Sequence, residues 1–202
     1  MISSYNKDGI GDVLLVMTES SVSKEQGFET KGNTTRIFNT ATNKTVGYNF
    51  FESSNYLEIN ENGPLTLSMQ QVSHLNDRLL EQGFSDQLEA DEAPKFVVGY
   101  VKECSSHPNS DHLSITQIEI DNQQVIQVVC GAANIAAGQK VVVAKVGAMM
   151  PDGTAIWDGE LRGEPSHGMV CSARELGIKE EQGKKGILVL SDSSVVGTEF
   201  KK

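Results

Sequence analysis

The sequence predicts a mainly β fold with α+β content: a small α+β domain over residues 1–90, then a closed five-stranded barrel over residues 94–200. Three observations carry that expectation. A charged stretch, Leu88-Glu89-Ala90-Asp91-Glu92-Ala93, ends at Pro94 and parts two segments of different grammar. Ahead of it, short apolar runs lead to a single capped helix. Behind it, five short runs rich in Val and Ile alternate with turn clusters. A chain of 202 residues is long enough for two such domains, each with its own core.

Taken in order, Asp12-Val13-Leu14-Leu15-Val16-Met17 is a short apolar run suited to a buried strand. Thr34–Asn39 and Thr45–Phe51 are β-rich, and Ala41-Thr42-Asn43-Lys44 between them supplies turn formers. Ser68-Met69-Gln70-Gln71 has the spacing of a capping box, in which the Ser hydroxyl and Gln amide satisfy N–H groups that a helix start leaves unpaired. Val72, Leu75, Leu79 and Leu80 then recur at helical spacing, Asp77 and Arg78 point elsewhere on the wheel, and Gly83 marks the stop. The first 90 residues read as a β-meander, a connecting loop and one covering helix. His74, inside that helix, reads as a partly exposed or core-edge side chain.

After Pro94 the expected strands are Phe96–Lys102, Leu113–Ile120, Val125–Cys130, Lys140–Val146 and Ile187–Leu190. His107-Pro108-Asn109, Asp121-Asn122, Gly138-Gln139 and Pro151-Asp152-Gly153 divide them. Five strands with even spacing and one longer insertion suit an OB-type barrel, a five-stranded Greek key. Ser172-Ala173-Arg174-Glu175 is a second capping box, opening a helical turn that Gly177 ends.

Composition excludes several classes. Hydrophobic residues at 38% and charged residues at 22% are ordinary for a soluble globular protein. No apolar run approaches 18 residues, and the first residues, Met1-Ile2-Ser3-Ser4-Tyr5-Asn6-Lys7, lack the pattern of a secretory signal. A cytoplasmic location is the expectation. Three cysteines without paired spacing disfavour a disulfide framework. The formal charge is −10, whereas phosphate binders ordinarily carry a positive patch. Residues 1–95 hold 7 Lys/Arg against 14 Asp/Glu, and residues 96–202 hold 10 against 13, so the acidity is concentrated in the first half.

Few groupings suggest chemistry. Cys104, His107, Asp111 and His112 lie close together, yet Cys104-x₂-His107-x₄-His112 supplies at most half of a structural zinc pattern, and a Pro-fixed turn is the favoured account of the segment. Cys130, Cys171 and His167 raise a thiol-enzyme reading, with no orienting third residue or oxyanion donor to complete it. Neither G-x-G-x-x-G nor G-x-x-x-x-G-K-[ST] occurs, and Gly147, Gly153, Gly159, Gly163 and Gly168 read as turn formers. No metal, cofactor or small-molecule substrate is expected, nor an enzyme. Arg162, Arg174, Lys140, Lys145, Lys184 and Lys185 are the cations available for phosphate. Trp157, the sole tryptophan, has three open readings: stacking on a base, a cover for the barrel mouth, or a subunit contact, and aromatics at 6% do not support a multi-base platform.

One ordered set of motifs is more specific. His107-Pro108-Asn109-Ser110-Asp111-His112-Leu113, then Val129-Cys130-Gly131-Ala132-Ala133-Asn134, then Leu161-Arg162-Gly163 with Ser166 through Ala173, occur in that order over about half the chain. From about Pro94 to Phe200 the chain resembles the tRNA-binding OB-fold module of bacterial phenylalanyl-tRNA synthetase β chains, also found at the C-terminus of many methionyl-tRNA synthetases and in the endothelial monocyte-activating polypeptide family. With an acidic α+β unit ahead of the module, the whole arrangement is similar to the stand-alone YtpR-like tRNA-binding proteins.

That resemblance implies non-catalytic recognition of folded tRNA by shape and backbone contacts. It places the RNA face on Ser166, His167, Gly168 and Met169 with Ser172 and Arg174 beside them, matches Arg162 to the family's Arg, and matches Asn109 and Asn134, for which holding loops alone is the other reading. Lys145, one of the cations available for phosphate, joins this set. A homodimer presenting the module is a further expectation. One departure stands out: strong tRNA binders of the family are lysine-rich just before Leu-Arg-Gly, whereas here the stretch is Ala155-Ile156-Trp157-Asp158-Gly159-Glu160. Acidic groups there oppose counterion release, the main source of such affinity. The alternative they favour is a protein–protein adaptor whose OB module has weak RNA affinity.

Overall fold

The computed structural model describes residues 1–179 and 185–201. Lys184, one of the expected cations, lies outside them. The chain divides into two compact units, Met1–Ala93 and Pro94–Lys202.

The first unit contains β1 (Ile2–Tyr5), a one-turn α1 (Lys7–Ile10), β2 (Val13–Met17), β3 (Gln26–Lys31), β4 (Thr34–Asn39), β5 (Thr45–Phe51), β6 (Gly63–Leu65) and α2 (Met69–Glu81). Its strands form one antiparallel sheet in the order β3-β4-β5-β2-β1-β6. Leu14 and Val16 of β2 and Val46, Tyr48 and Phe50 of β5 are buried, the period-2 signature of a sheet with one covered face. α2 covers it. Gln71 N donates to Ser68 Oγ at 3.2 Å while Ser68 N donates to Gln71 Oε1 at 2.9 Å, so the capping box forms as expected. Val72, Leu75 and Leu79 are buried in the same cluster as Leu14, Tyr48 and Phe50.

Two details of the helix differ from the sequence reading. Leu80 is 74% exposed, because one residue past Leu79 the helix has turned by about 100° away from the sheet. Arg78 instead faces inward: its guanidinium lies 3.8 Å from the Tyr56 ring centroid and donates to Asn33 Oδ1 at 2.7 Å. β1, β3, β6 and α1 add to the elements that the sequence predicts. β3, Gln26-Gly27-Phe28-Glu29-Thr30-Lys31, is an edge strand with hardly any buried side chain, so it lacks the apolar alternation by which strands are read.

A carboxylate fixes the bend between β5 and the segment after it. Asp12 Oδ1 accepts from Tyr5 Oη (2.9 Å), Ser53 Oγ (3.0 Å) and Ser54 N (3.0 Å), and Oδ2 accepts from Ser54 Oγ (2.7 Å). Burial pushes the Asp12 carboxyl up, but the hydrogen bonds from Ser54, Tyr5 and Ser53 outweigh it and hold the pKa at about 2, below the ordinary 3.8. Asp86 is likewise lowered, by the Thr45 hydroxyl and then by Tyr48 and Arg36 against burial. A depressed folded-state pKa contributes stability that is present above the unfolded value and lost as pH falls through the folded one. The first unit is therefore expected to lose stability as pH falls from 3.8 toward about 2, and Asp12→Asn to flatten that limb in circular-dichroism titrations. An unchanged acid limb in the variant would refute the assignment.

The second unit contains β7 (Phe96–Ser106), β8 (Ser114–Glu119), β9 (Val125–Cys130), β10 (Lys140–Lys145), β11 (Gly159–Leu161), β12 (Glu164–Ser166), β13 (Gly168–Val170) and β14 (Val189–Leu190). The barrel strands run β13-β10-β7-β8-β9, all antiparallel. Val97, Val101, Ile118, Val128, Val141 and Val143 fill the interior. β10 is a continuous apolar run because it is buried on both faces: Val142 and Ala144 pack outward with Ala148, Met150, Ile156, Cys171 and Leu176 in a second small core. A bulge between Val101 and Glu103 lets the eleven-residue β7 bend around the barrel.

The fifth barrel strand is not where the sequence placed it. β13 takes that position, from within the supposed insertion, while residues 187–190 yield only the two-residue β14 against the start of β10. Gly168-Met169-Val170 has one β-branched residue and a leading glycine, so strand propensity hides it. Closure against β9 is made by His167 N to Gln127 O (2.9 Å), Gln127 Nε2 to Pro165 O (2.9 Å) and Val129 N to Ser166 Oγ (3.1 Å). The barrel is nearly closed, with a serine hydroxyl standing in for a carbonyl in the seam.

Candidate nucleic-acid interface

β11 and β12 form a two-stranded hairpin with Arg162 and Gly163 at its tip, at φ 51° and 93°. Positive φ at both central residues is the type I′ turn that matches strand twist, for which Asn-Gly is the usual pair. Arginine is an uncommon occupant of the left-handed region. Its Nη1 donates to Asn109 O at 3.2 Å, which ties the hairpin tip to the β7–β8 turn. His107, 4% exposed, makes a second tie: Nδ1 accepts from Asn109 N and Nε2 donates to Leu161 O, each at 3.0 Å. Both ring nitrogens are engaged, so the His-Pro-Asn turn is a hairpin anchor and His107 has no lone pair left for a metal. Among the described residues no cluster of three or more His, Cys, Asp or Glu is placed to hold one.

Between this hairpin, the end of β9 and the segment after β13 lies an open groove of about 720 Å³. Ser166, Gly168, Met169, Ser172 and Arg174 of the expected face line it, together with Trp157, Leu161, Glu175 and Lys185. Ser172 N and Oγ donate to Glu175 Oε2 at 2.7 and 2.6 Å, and Glu175 N donates back to Ser172 Oγ at 3.2 Å. The capping box thus forms, but it supports only one turn, which Gly177 ends at φ 71°. That turn presents Arg174, which is exposed and forms no ion pair among the described residues.

The other expected residues are placed differently. Ser166 is buried, its hydroxyl engaged by Val129 N and donating to Gly168 O at 3.3 Å, so it closes the barrel. Asn134 clamps Ile187, its Nδ2 donating to Ile187 O (3.1 Å) and its Oδ1 accepting from Ile187 N (2.9 Å). His167 and Lys145 sit together in a neighbouring depression, where Nδ1 of His167 meets Asp158 Oδ1 at 2.8 Å and Lys145 pairs with Asp121 at 2.8 Å. Of the acidic stretch before Leu161, Asp158 is therefore partnered. Lys140 is also occupied, donating to Asp192 O and Ser194 O at 2.5 and 2.6 Å. Lys185 and Trp157 complete the groove; sequence reading named both but had no means of joining Lys185 to Arg174 across the chain.

Cys130 and Cys171 are buried thiols. Burial pushes Cys171 up to about 12 and raises Cys130 as well, so neither is a thiolate at neutral pH. No helix among the described residues is long and apolar enough to cross a membrane.

Comparison with known proteins gives two family matches. Residues 96–199 match a family described as "Putative tRNA binding domain", and residues 21–91 match one described as "Domain of unknown function (DUF4479)". The "Putative tRNA-binding protein YtpR" of Bacillus subtilis (strain 168) is 46% identical over 200 residues, 99% of either chain. The phenylalanine–tRNA ligase beta subunit of Halalkalibacterium halodurans is 50% identical over 107 residues, 51% of this chain but 13% of that one. Among solved structures, the C-terminal domain of Plasmodium vivax p43 shares 24% identity, with a TM-score of 0.38 over 55% of this chain and 61% of that one.

Proposed function

The chain belongs to the tRNA-binding domain family, and from that premise we propose that it is a non-catalytic protein that binds folded tRNA through its C-terminal unit. The observation that carries the reading is the groove: Arg174, Lys185 and Trp157 all line it, in a chain of net charge −10. Local cation placement, not overall charge, decides where phosphates approach, because exposed charges farther apart than about 10 Å are screened. Asp158, one of the two carboxylates that favour an adaptor, is hydrogen-bonded to His167.

Arg162, Met169, Ser172 and Arg174 are the proposed contacts, with His167 and Lys145 flanking them and Asn109, Asn134, Ser166 and Gly168 holding the surface in shape. Filter binding across a salt series tests this. Saturable binding of folded tRNA below about 10 µM, with log K falling linearly against log salt, is expected; no saturation at low salt overturns it. Arg162→Asn keeps the left-handed tip conformation but gives up the bond to Asn109 O, so its stability should stay within about 1 kcal/mol of wild type while tRNA binding falls severalfold. Equal or tighter binding would remove Arg162 from the interface.

A cytoplasmic location accompanies this reading, as does self-association. The outer edge of β3, where Phe28 is 77% exposed, is the surface proposed for a homodimer. Sedimentation equilibrium of the wild type against Phe28→Ser tests it, a monomeric wild type being the contrary result.

A further inference from the structure

The groove has the wrong lining for phosphate alone. Its floor is apolar, from Ile156, Leu161, Met169 and Ile187, and Glu175 places a carboxylate among them. The two cations belong to Arg174 and Lys185, both exposed. A bare phosphate on that floor would meet a like charge and lose water without gaining donors. An uncharged planar ring on the floor, with its own phosphate against the cations, meets neither penalty.

Trp157 is positioned for such a ring. Ile156 N donates to Ala148 O and Ile156 O accepts from Gly147 N, both at 2.8 Å, while Gly159 opens β11 two residues later. The backbone of Trp157 runs between two pinned points, and the residue is half-buried and lines the groove. A groove of about 720 Å³ falls within the range of small-molecule sites. Bases stack on such aromatics with little regard to sequence.

We propose that the groove is a slot for one unpaired nucleobase, stacked on Trp157, with Arg174 and Lys185 on the phosphate of the same nucleotide; this rests on the tRNA-binding reading above. Binding by shape then includes one base drawn out of the RNA fold.

Trp157 is the only tryptophan in the chain, so its emission reports the slot directly. The intact protein is titrated with folded tRNA while emission and filter retention are followed together. Saturable quenching with the same midpoint as filter binding is expected. Trp157→Ala should weaken binding about 10- to 100-fold, and Trp157→Phe, which keeps a stacking face, should stay within about threefold of wild type. Thermal melts of both variants separate lost stacking from lost folding, the Phe variant remaining the control if the Ala variant melts early. Filter binding that saturates without a change in emission, or Trp157→Phe binding as weakly as Trp157→Ala, overturns the slot while leaving tRNA binding intact. No retention and no quenching overturn both.

Discussion

Reversing both groove cations, Arg174→Glu with Lys185→Glu, is expected to lower affinity for folded tRNA by about 100-fold at low salt and to reduce the salt slope by about 2. Each cation that neutralises a phosphate releases condensed counterions, so its removal shows in the slope as well as in the midpoint. The control is Lys7→Glu with Lys24→Glu, two exposed lysines of the first unit that make the same change in net charge. If binding follows local placement, the control stays within about twofold of wild type at moderate salt. Equal losses in the two double variants would mean that total charge, not the groove, governs binding.

The second large effect is on the barrel seam. Gly168 sits at φ 146°, and a Cβ there would lie 2.8 Å from Ala144 O, a backbone atom of β10. Ala144 pairs with Met169 in the ladder, so neither strand can retreat without opening the closure that Ser166 completes. Gly168→Ala is expected to destabilise the C-terminal unit by about 2–4 kcal/mol, from backbone strain and overpacking together. Calorimetry should show its transition about 10 °C lower. Gly159→Ala is the matched control, since nothing lies within 4 Å of a Cβ there. A Gly168→Ala protein that melts like the control would show that the seam relaxes freely.

Much of this was legible in the sequence where one physical signal acts alone. The β-rich runs Thr34–Asn39, Thr45–Phe51 and Val125–Cys130 became β4, β5 and β9 at those limits, because each run is flanked by turn chemistry. The Ser68 capping box was equally plain, since a cap is a contact between near neighbours in the chain. Elements held by distant partners were harder to read. β11, β12 and β13 are three residues each, and β13 owes its place to pairing with β10 across some two dozen residues.

The candidate site follows the same division. Its residues could be named from motifs, but their tasks could not, because a tether such as His107 to Leu161 spans 54 positions. Ser166, placed on the RNA face by resemblance, and Asn134, matched with a loop-holding reading open, have their side-chain hydrogen bonds engaged internally at the barrel seam and the Ile187 clamp. Motif likeness records that a residue type is required; only the hydrogen-bond partners tell scaffold from surface.

Amide hydrogen exchange of the intact chain with and without saturating folded tRNA tests the central claim most directly. The groove account predicts slowed exchange at residues 157–161 and 166–176, with the first unit unchanged. Slowing confined to residues 1–93, or no slowing around Trp157 and Arg174 while tRNA is bound, would contradict it.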